Sequence, residues 1–302
     1  MEYRVVGQSD LRVSAIGLGC VTFGREIDRQ AAFAVIDHAV ERGINLLDTA
    51  AAYGNGASES VLGDWLASRN TRGRIVLATK VHGSLQREQI LRSIDESLTR
   101  LRTDFIDLFQ LHLWNASTPL DETLGALETV VRQGKARYVG CSNWRAWQLA
   151  KVLLMSAKSG LSRLESIQPP YNLIQREIEQ ELLPLCADQR IGVITYSPLA
   201  AGFLTGKYRR GQPVPPGTRF DIMPGHQPIY FTDRGFEMLD QLERVAQQAR
   251  RSMAQLSLAW ALNRPHVTSV LIGARELAHI DQALEAQDIA CKDTIDTTLA
   301  QL

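Results

Sequence analysis

The sequence carries no excess charge of either sign: Lys and Arg together number 33, and so do Asp and Glu. A balance of that kind argues against a nucleic-acid or anionic-membrane partner. It has four cysteines, Cys20, Cys141, Cys186 and Cys291, too far apart for a Cys-x-x-Cys pair. That spacing fits unpaired thiols in a reducing compartment. No apolar run is long enough to span a bilayer, and the opening MEYRVVGQSDLRV lacks a signal-peptide core. A soluble, cytoplasmic protein without metal is therefore expected. At 302 residues the chain can bury one barrel-sized core or two smaller ones.

What is present is a rhythm. Residues 2–13 suggest a short hairpin turning at Gly7-Gln8-Ser9-Asp10. Apolar strand-like runs then alternate with segments of helical period. Strands are expected at 14–19, 44–48, 74–80, 105–112, 136–141, 164–168, 192–196 and 269–272. Helices are expected at 29–42, 58–68, 87–101, 120–132, 146–157, 178–188, 253–263 and 277–286. In the first helix Ala32, Phe33, Ile36, Ala39 and Val40 make an apolar face, Asp28 is placed to cap it, and Gly43 ends it. Near-continuous apolar strands separated by helices are parallel strands covered on the outside. Eight of them predict an α/β fold of the (β/α)8 TIM-barrel type. An open doubly wound sheet is the alternative, but its dinucleotide fingerprint is missing: Gly17-Leu18-Gly19 is followed by Thr22 where a third glycine belongs. One segment breaks the rhythm. From 199 to about 232, glycines and prolines accumulate after the seventh strand, where a barrel keeps its site, and a long covering loop is expected there.

Four reactive side chains fall at strand ends: Asp48 and Tyr53 after the second strand, Lys80 after the third, His112 after the fourth. A barrel gathers such ends on one face. A buried acid needs a cationic partner, and Lys80 is the candidate for Asp48. A free phenol, with a pKa near ~10, is a poor acid at neutral pH. The Lys80 ammonium is expected to lower it, with Asp48 holding the ammonium in place. His112 can hydrogen-bond a substrate oxygen where negative charge develops. With no nucleophile in this set, hydride transfer with Tyr53 as proton donor is the chemistry it suits.

These residues lie in longer motifs: Asp48-Thr49-Ala50-x-x-Tyr53-Gly54 with Ser58-Glu59 and Leu62-Gly63, Thr79-Lys80, Leu111-His112, and Gly134-Lys135-x-Arg137-x-x-Gly140-x-Ser142-Asn143. Gln168-x-x-Tyr171-Asn172 and the run from Tyr196-Ser197-Pro198-Leu199 to Lys207-Tyr208 follow. In that order they resemble the aldo-keto reductases from the hairpin to the last helix. The resemblance implies a single barrel domain over 1–302 that interconverts aldehydes or ketones and alcohols with NADP(H), or alternatively NAD(H). It implies a catalytic tetrad of Asp48, Tyr53, Lys80 and His112. It implies that Ser142, Asn143 and Gln168 bind the nicotinamide carboxamide and that Tyr196 stacks on the ring. Ser197, Leu199, Gly202, Leu204 and Lys207 would wrap the pyrophosphate. Gly273, Arg275, His279 and Gln282 would meet the adenosine phosphate. The sequence departs from the family's pattern at His279 and Ala283, which weakens the adenine site. Phe23 and Trp114 are expected on an apolar pocket wall for a small-molecule carbonyl or alcohol, with Trp144, Tyr230 and Phe231 as further candidates. Two other readings stay open: a sugar-modifying oxidoreductase running toward oxidation, and a cofactor-binding regulatory subunit akin to potassium-channel β subunits.

Overall fold

A computed structural model of the protein describes residues 1–289, so Cys291 lies outside the described residues. The strands β1 (Tyr3–Val5) and β2 (Arg12–Ser14) form the antiparallel hairpin. The remaining strands are β3 (Ile16–Gly19), β4 (Leu46–Asp48), β5 (Val76–Val81), β6 (Ile106–Leu111), β7 (Ala136–Ser142), β8 (Leu164–Gln168), β9 (Gly192–Thr195) and β10 (Ser269–Gly273). These eight are parallel and close on themselves, β10 pairing with β3. The barrel is thus the expected (β/α)8 fold.

Helices cover the outside: α1 (Arg29–Glu41), α2 (Ala57–Arg69), α3 (Arg87–Leu101), α4 (Leu120–Arg132), α5 (Ala146–Ser159) and α6 (Leu182–Gln189). The long segment holds two one-turn helices, α7 (Arg219–Ile222) and α8 (Gln227–Tyr230). It leads into α9 (Asp233–Ala249), then α10 (Met253–Leu262) and α11 (Leu277–Gln287). Asp28 caps α1 through a 2.8 Å bond from the Ala31 amide. Phe33, on the apolar face of α1, is half-buried against the outer core, with the guanidinium groups of Arg29 and Arg69 over its ring. The expected helix at 178–188 is shorter, a 3₁₀ turn preceding α6.

Side-chain parity divides the core in two. Val6, Leu11 and Val13 of the hairpin plug the barrel floor and pack with Leu46, Val76, Ala78, Leu108, Ile194 and Leu271 from inside the barrel. The larger core lies between barrel and helices. Below the barrel wall, the carboxylate of Asp107 is buried at the N-terminal end of β6. It accepts the Leu77 amide at 2.9 Å and pairs with Arg72 at 2.8 Å and Arg137 at 3.0 Å. Arg137 continues to Asp10 in the hairpin turn at 2.7 Å, tying the plug to the wall.

Candidate active site

Successive side chains of a strand alternate between its faces, so parity decides what reaches the barrel mouth. Leu46 faces the interior, and Asp48, two residues on, shares that face. Val76 and Ala78 point inward and lead to Lys80; Leu108 leads to Gln110 and then His112. The Lys80 ammonium lies 2.6 Å from Asp48 Oδ2, donates to the Thr49 carbonyl at 2.8 Å and lies 3.4 Å from the Tyr53 hydroxyl. Lys80 and Asp48 are 1% and 2% exposed, so the pair is shut off from water. It survives burial because neither charge depends on one partner. The other oxygen of Asp48 accepts Nε2 of Gln168 at 2.8 Å and of Gln110 at 3.4 Å.

Tyr53 opens a 3₁₀ turn in which Gly54, Asn55 and Gly56 all take left-handed backbone, with φ of 57°, 52° and 87°. That reversal joins β4 to α2. The Ser58-Glu59 pair fixes it: Ser58 bonds Thr49 and the Cys20 carbonyl, both at 2.8 Å. Glu59, fully buried, accepts Thr79 and Arg100, each at 2.6 Å. Gly63 is required beside it, since a Cβ there would lie 2.1 Å from the Arg100 carbonyl oxygen. The motif therefore bolts the tyrosine turn to the strand that carries Lys80.

Burial pushes the Tyr53 phenol above its usual range, and the Lys80 ammonium opposes that without reversing it. The expected net lowering is corrected: the cation acts in the expected direction, but removal from water acts more strongly. Burial also works against the Lys80 charge, yet Asp48 and Tyr53 outweigh it and raise its pKa. His112 is lowered to about 3, by burial first and then by Lys80 and His82. A neutral imidazole thus stands edge-on to Tyr53, with ring centroids 5.9 Å apart.

A second network adjoins the first. Ser142 donates to the Gln168 carbonyl at 2.7 Å. Asn143, left-handed at φ 61°, donates to the His112 carbonyl at 3.1 Å and accepts the Tyr196 hydroxyl at 2.7 Å. Past β9 the backbone turns left-handed at Ser197, Ala200, Ala201 and Gly202, with φ of 56°, 52°, 56° and 90°. A Cβ on Gly202 would sit 3.2 Å from Nζ of Lys207, so glycine lets the lysine fold back on this loop. Burial and then Arg275 lower the Lys207 pKa. Burial likewise lowers His279, with Arg275 and Lys207 adding to it against Glu276. Lys207 and Arg275 therefore share one positive neighbourhood, with His279 beside them 3.3 Å from Glu276. Leu199 is half-buried and Leu204 fully buried; Gly273 and Gln282 are exposed nearby.

The profile of the aldo/keto reductase family matches residues 15–296. The chain belongs to that family. It is 34% identical over 312 residues to an uncharacterized oxidoreductase, YrpG, of Bacillus subtilis (strain 168), across 96% of this chain and 92% of that one. It is 33% identical over 303 residues to a probable voltage-gated potassium channel subunit beta of Arabidopsis thaliana, with the same coverage of 96% and 92%. Versiconal hemiacetal acetate reductase of Aspergillus parasiticus is 31% identical over 326 residues, covering 96% of this chain and 93% of that protein. Membership carries a general oxidoreductase activity, and aldo/keto reductases generally use NAD(P)(H).

The donor set of this aldo/keto reductase fits such a cofactor. A hydroxyl and two amides stand beside the tetrad, and Lys207 lies close enough to Arg275 for the guanidinium to disfavour its charge. Several expectations move. Phe23 is fully buried in the outer core and offers no surface to a substrate. Tyr230 is 4% exposed, donates to Gln175 at 2.7 Å, and joins Phe203, Tyr208, Phe220 and Phe231 in an aromatic core beneath the long segment. Trp114 is half-buried and packs edge-on to the buried Trp144 at 4.8 Å. Gln110 and His82 were missed; strand parity, carried two residues beyond Leu108 and two beyond Lys80, would have found both.

Proposed function

We propose that this protein is a single-domain NAD(P)(H)-dependent carbonyl reductase that interconverts an aldehyde or ketone and its alcohol. The observation that carries this is the convergence of Asp48, Lys80, Tyr53 and His112 in one hydrogen-bonded and ring-contacting group at the barrel mouth. The bound cofactor would supply the hydride. Ser142, Asn143 and Gln168 would hold its carboxamide, Tyr196 its ring, the 197–207 loop its pyrophosphate, and Arg275 with His279 and Gln282 its adenosine end. Tyr53, kept protonated by burial, gives its proton to the carbonyl oxygen. Lys80 stabilises the phenolate left behind, and Asp48 keeps Lys80 charged and aimed. His112, neutral, offers an N–H to the same oxygen without competing for the proton.

The positive neighbourhood of Lys207 and Arg275 supports NADP(H) over NAD(H), since a 2′-phosphate adds charge where fixed cations stand. NAD(H) is the alternative; Ala283, fully buried in the core, offers no side-chain amide to the adenine that both cofactors carry. The buried thiols Cys20, Cys141 and Cys186 support a cytoplasmic location. Among the described residues no helix is long and apolar enough to cross a membrane.

The potassium-channel relative favours a second reading, a cofactor-binding regulatory subunit with slow turnover. An absorbance assay of NADPH and NADH consumption with a panel of aldehydes, ketones and sugars separates the two. Turnover on at least one carbonyl, with NADPH preferred, is expected; tight cofactor binding without turnover on any would favour the regulatory reading.

A further inference from the structure

His82 stands outside the tetrad and outside the cofactor loops, yet it touches the catalytic group. It follows β5 on the same side of the strand as Val76, Ala78 and Lys80, so it projects toward the barrel mouth one step above the lysine. The pairing of β5 with β6 sets Lys80 opposite Gln110 and Val81 opposite Leu111, and the His112 amide continues it with a 3.0 Å bond to the Val81 carbonyl. His82 and His112 are therefore side by side at one level. Their rings meet edge to face, 5.5 Å between centroids. His82 is exposed, while His112 is half-buried behind it.

The mouth has two unlike sides around His112. In barrel order His82 comes from the β5 side, and the Trp114–Trp144 pair from the loops after β6 and β7. The substrate's carbonyl oxygen must lie between Tyr53 and His112. A substituent on the neighbouring carbon then turns either toward an imidazole, which hydrogen-bonds, or toward indole faces, which do not favour a hydroxyl. Two imidazoles 5.5 Å apart match the scale of two oxygens on adjacent carbons, each held by one ring.

We infer that His82 is a specificity-determining residue that hydrogen-bonds a second oxygen on the carbon next to the carbonyl. The favoured substrates are then 2-hydroxy carbonyl and 1,2-dicarbonyl compounds, the chemistry of small sugars and their fragments, with any apolar remainder against Trp114. The inference rests on the carbonyl-reductase reading above.

The test compares pairs in which a hydroxyl replaces a methyl: glycolaldehyde with propanal, and hydroxyacetone with butanone. The wild-type protein should show higher kcat/KM on the hydroxylated member of each pair. His82→Phe keeps an aromatic ring against His112 and removes the hydrogen bond; it should shrink that preference by roughly three- to tenfold, mostly through KM. His82→Gln should restore part of it, which a packing role alone would not do. Turnover of all four carbonyls with the same preference in wild type and His82→Phe overturns the inference and leaves carbonyl reduction standing. No turnover of any of them by the wild type overturns the reading beneath it, and the inference with it.

Discussion

Two buried ion clusters, at the mouth and the floor of the barrel, are built from the same materials and put to different ends. At the mouth, Asp48 holds Lys80; at the floor, Asp107 holds Arg72 and Arg137. Both acids are 2% exposed and both are saturated with donors. What separates them is the face and the end of the strand. Asp48 points inward at the C-terminal end of β4, next to a half-buried phenol and a neutral imidazole. Asp107 points outward near the start of β6, and its cations lead to the hairpin turn. Lysine at the mouth gives one compact charge that can serve a phenol, whereas the floor uses arginines that fork between several acceptors. A buried ion pair is therefore no sign of chemistry by itself; its neighbours and its place on the barrel decide.

The largest expected effect lies at the mouth alone. Tyr53→Phe should cut turnover roughly 10²- to 10⁴-fold while cofactor binding, followed by fluorescence titration, stays unchanged. Asp107→Asn should leave turnover within about twofold, as its arginines and the floor are remote from the reacting groups. A comparable loss of turnover from the floor variant would erase the distinction between the clusters.

Stability should feel both, though unequally. Lys80→Met strands the sealed Asp48 carboxylate, and denaturant melts should show a loss of roughly 3–5 kcal/mol; Asp107→Leu should cost less, since Arg72 and Arg137 are 19% and 41% exposed and water can take up their charge. Only the lysine variant should also lose turnover. If Lys80→Met proved as stable as the wild type, the mouth pair would not be the sealed unit that its geometry describes.

A smaller effect is expected from pH. Tyr53 sits above its ordinary value, so carbonyl reduction should be level through neutral pH and fall only in strong alkali, while alcohol oxidation should rise toward alkali. His112, lowered from 6.5 to about 3, should put no inflection near neutrality into either profile. For stability the sign is acid-labile: between pH 6.5 and about 3 the unfolded chain takes up a proton that the folded imidazole refuses. Thermal melts of the wild type and His112→Gln should therefore converge as pH falls through that window. The floor cluster contributes no histidine to this slope among the described contacts. Smallest of all, Asp28→Ala removes the α1 cap and should cost about 1 kcal/mol without any kinetic change, a baseline for stability effects remote from both clusters.

The barrel was legible because its strands and helices repeat with different periods, and the mouth because reactive side chains fell at matching strand ends. Asp48 and Lys80 could be paired from that alone. Asp107 was not singled out, since an acid inside an apolar run needs its parity worked out before its direction is known. The balance at Tyr53 escaped for a different reason: sequence names the cation beside the phenol but not the water withdrawn from both. The 17-residue helix α9 was passed over behind the glycines and prolines that precede it. Its signal was there, in Thr232 as a cap and Phe236, Leu239, Leu242 and Val245 on one face. Phe23 was a pocket-wall candidate because pockets of the family the sequence resembles take aromatic walls from loops, and only packing shows that its ring turns to the core.

The aromatic core under the long segment changes what that segment is in mechanical terms. Phe203 comes from its beginning, Phe220 and Tyr230 from its short helices, and Phe236 from the first turn of α9. Rings drawn from both ends and the middle make it a plate riveted to a helix rather than a cord lying on the surface. Arg219 then fastens the segment to Glu26, in the loop after β3, at 2.9 Å. Its rings pack as one body, so a disturbance at any of them is shared by the whole segment rather than held to single residues.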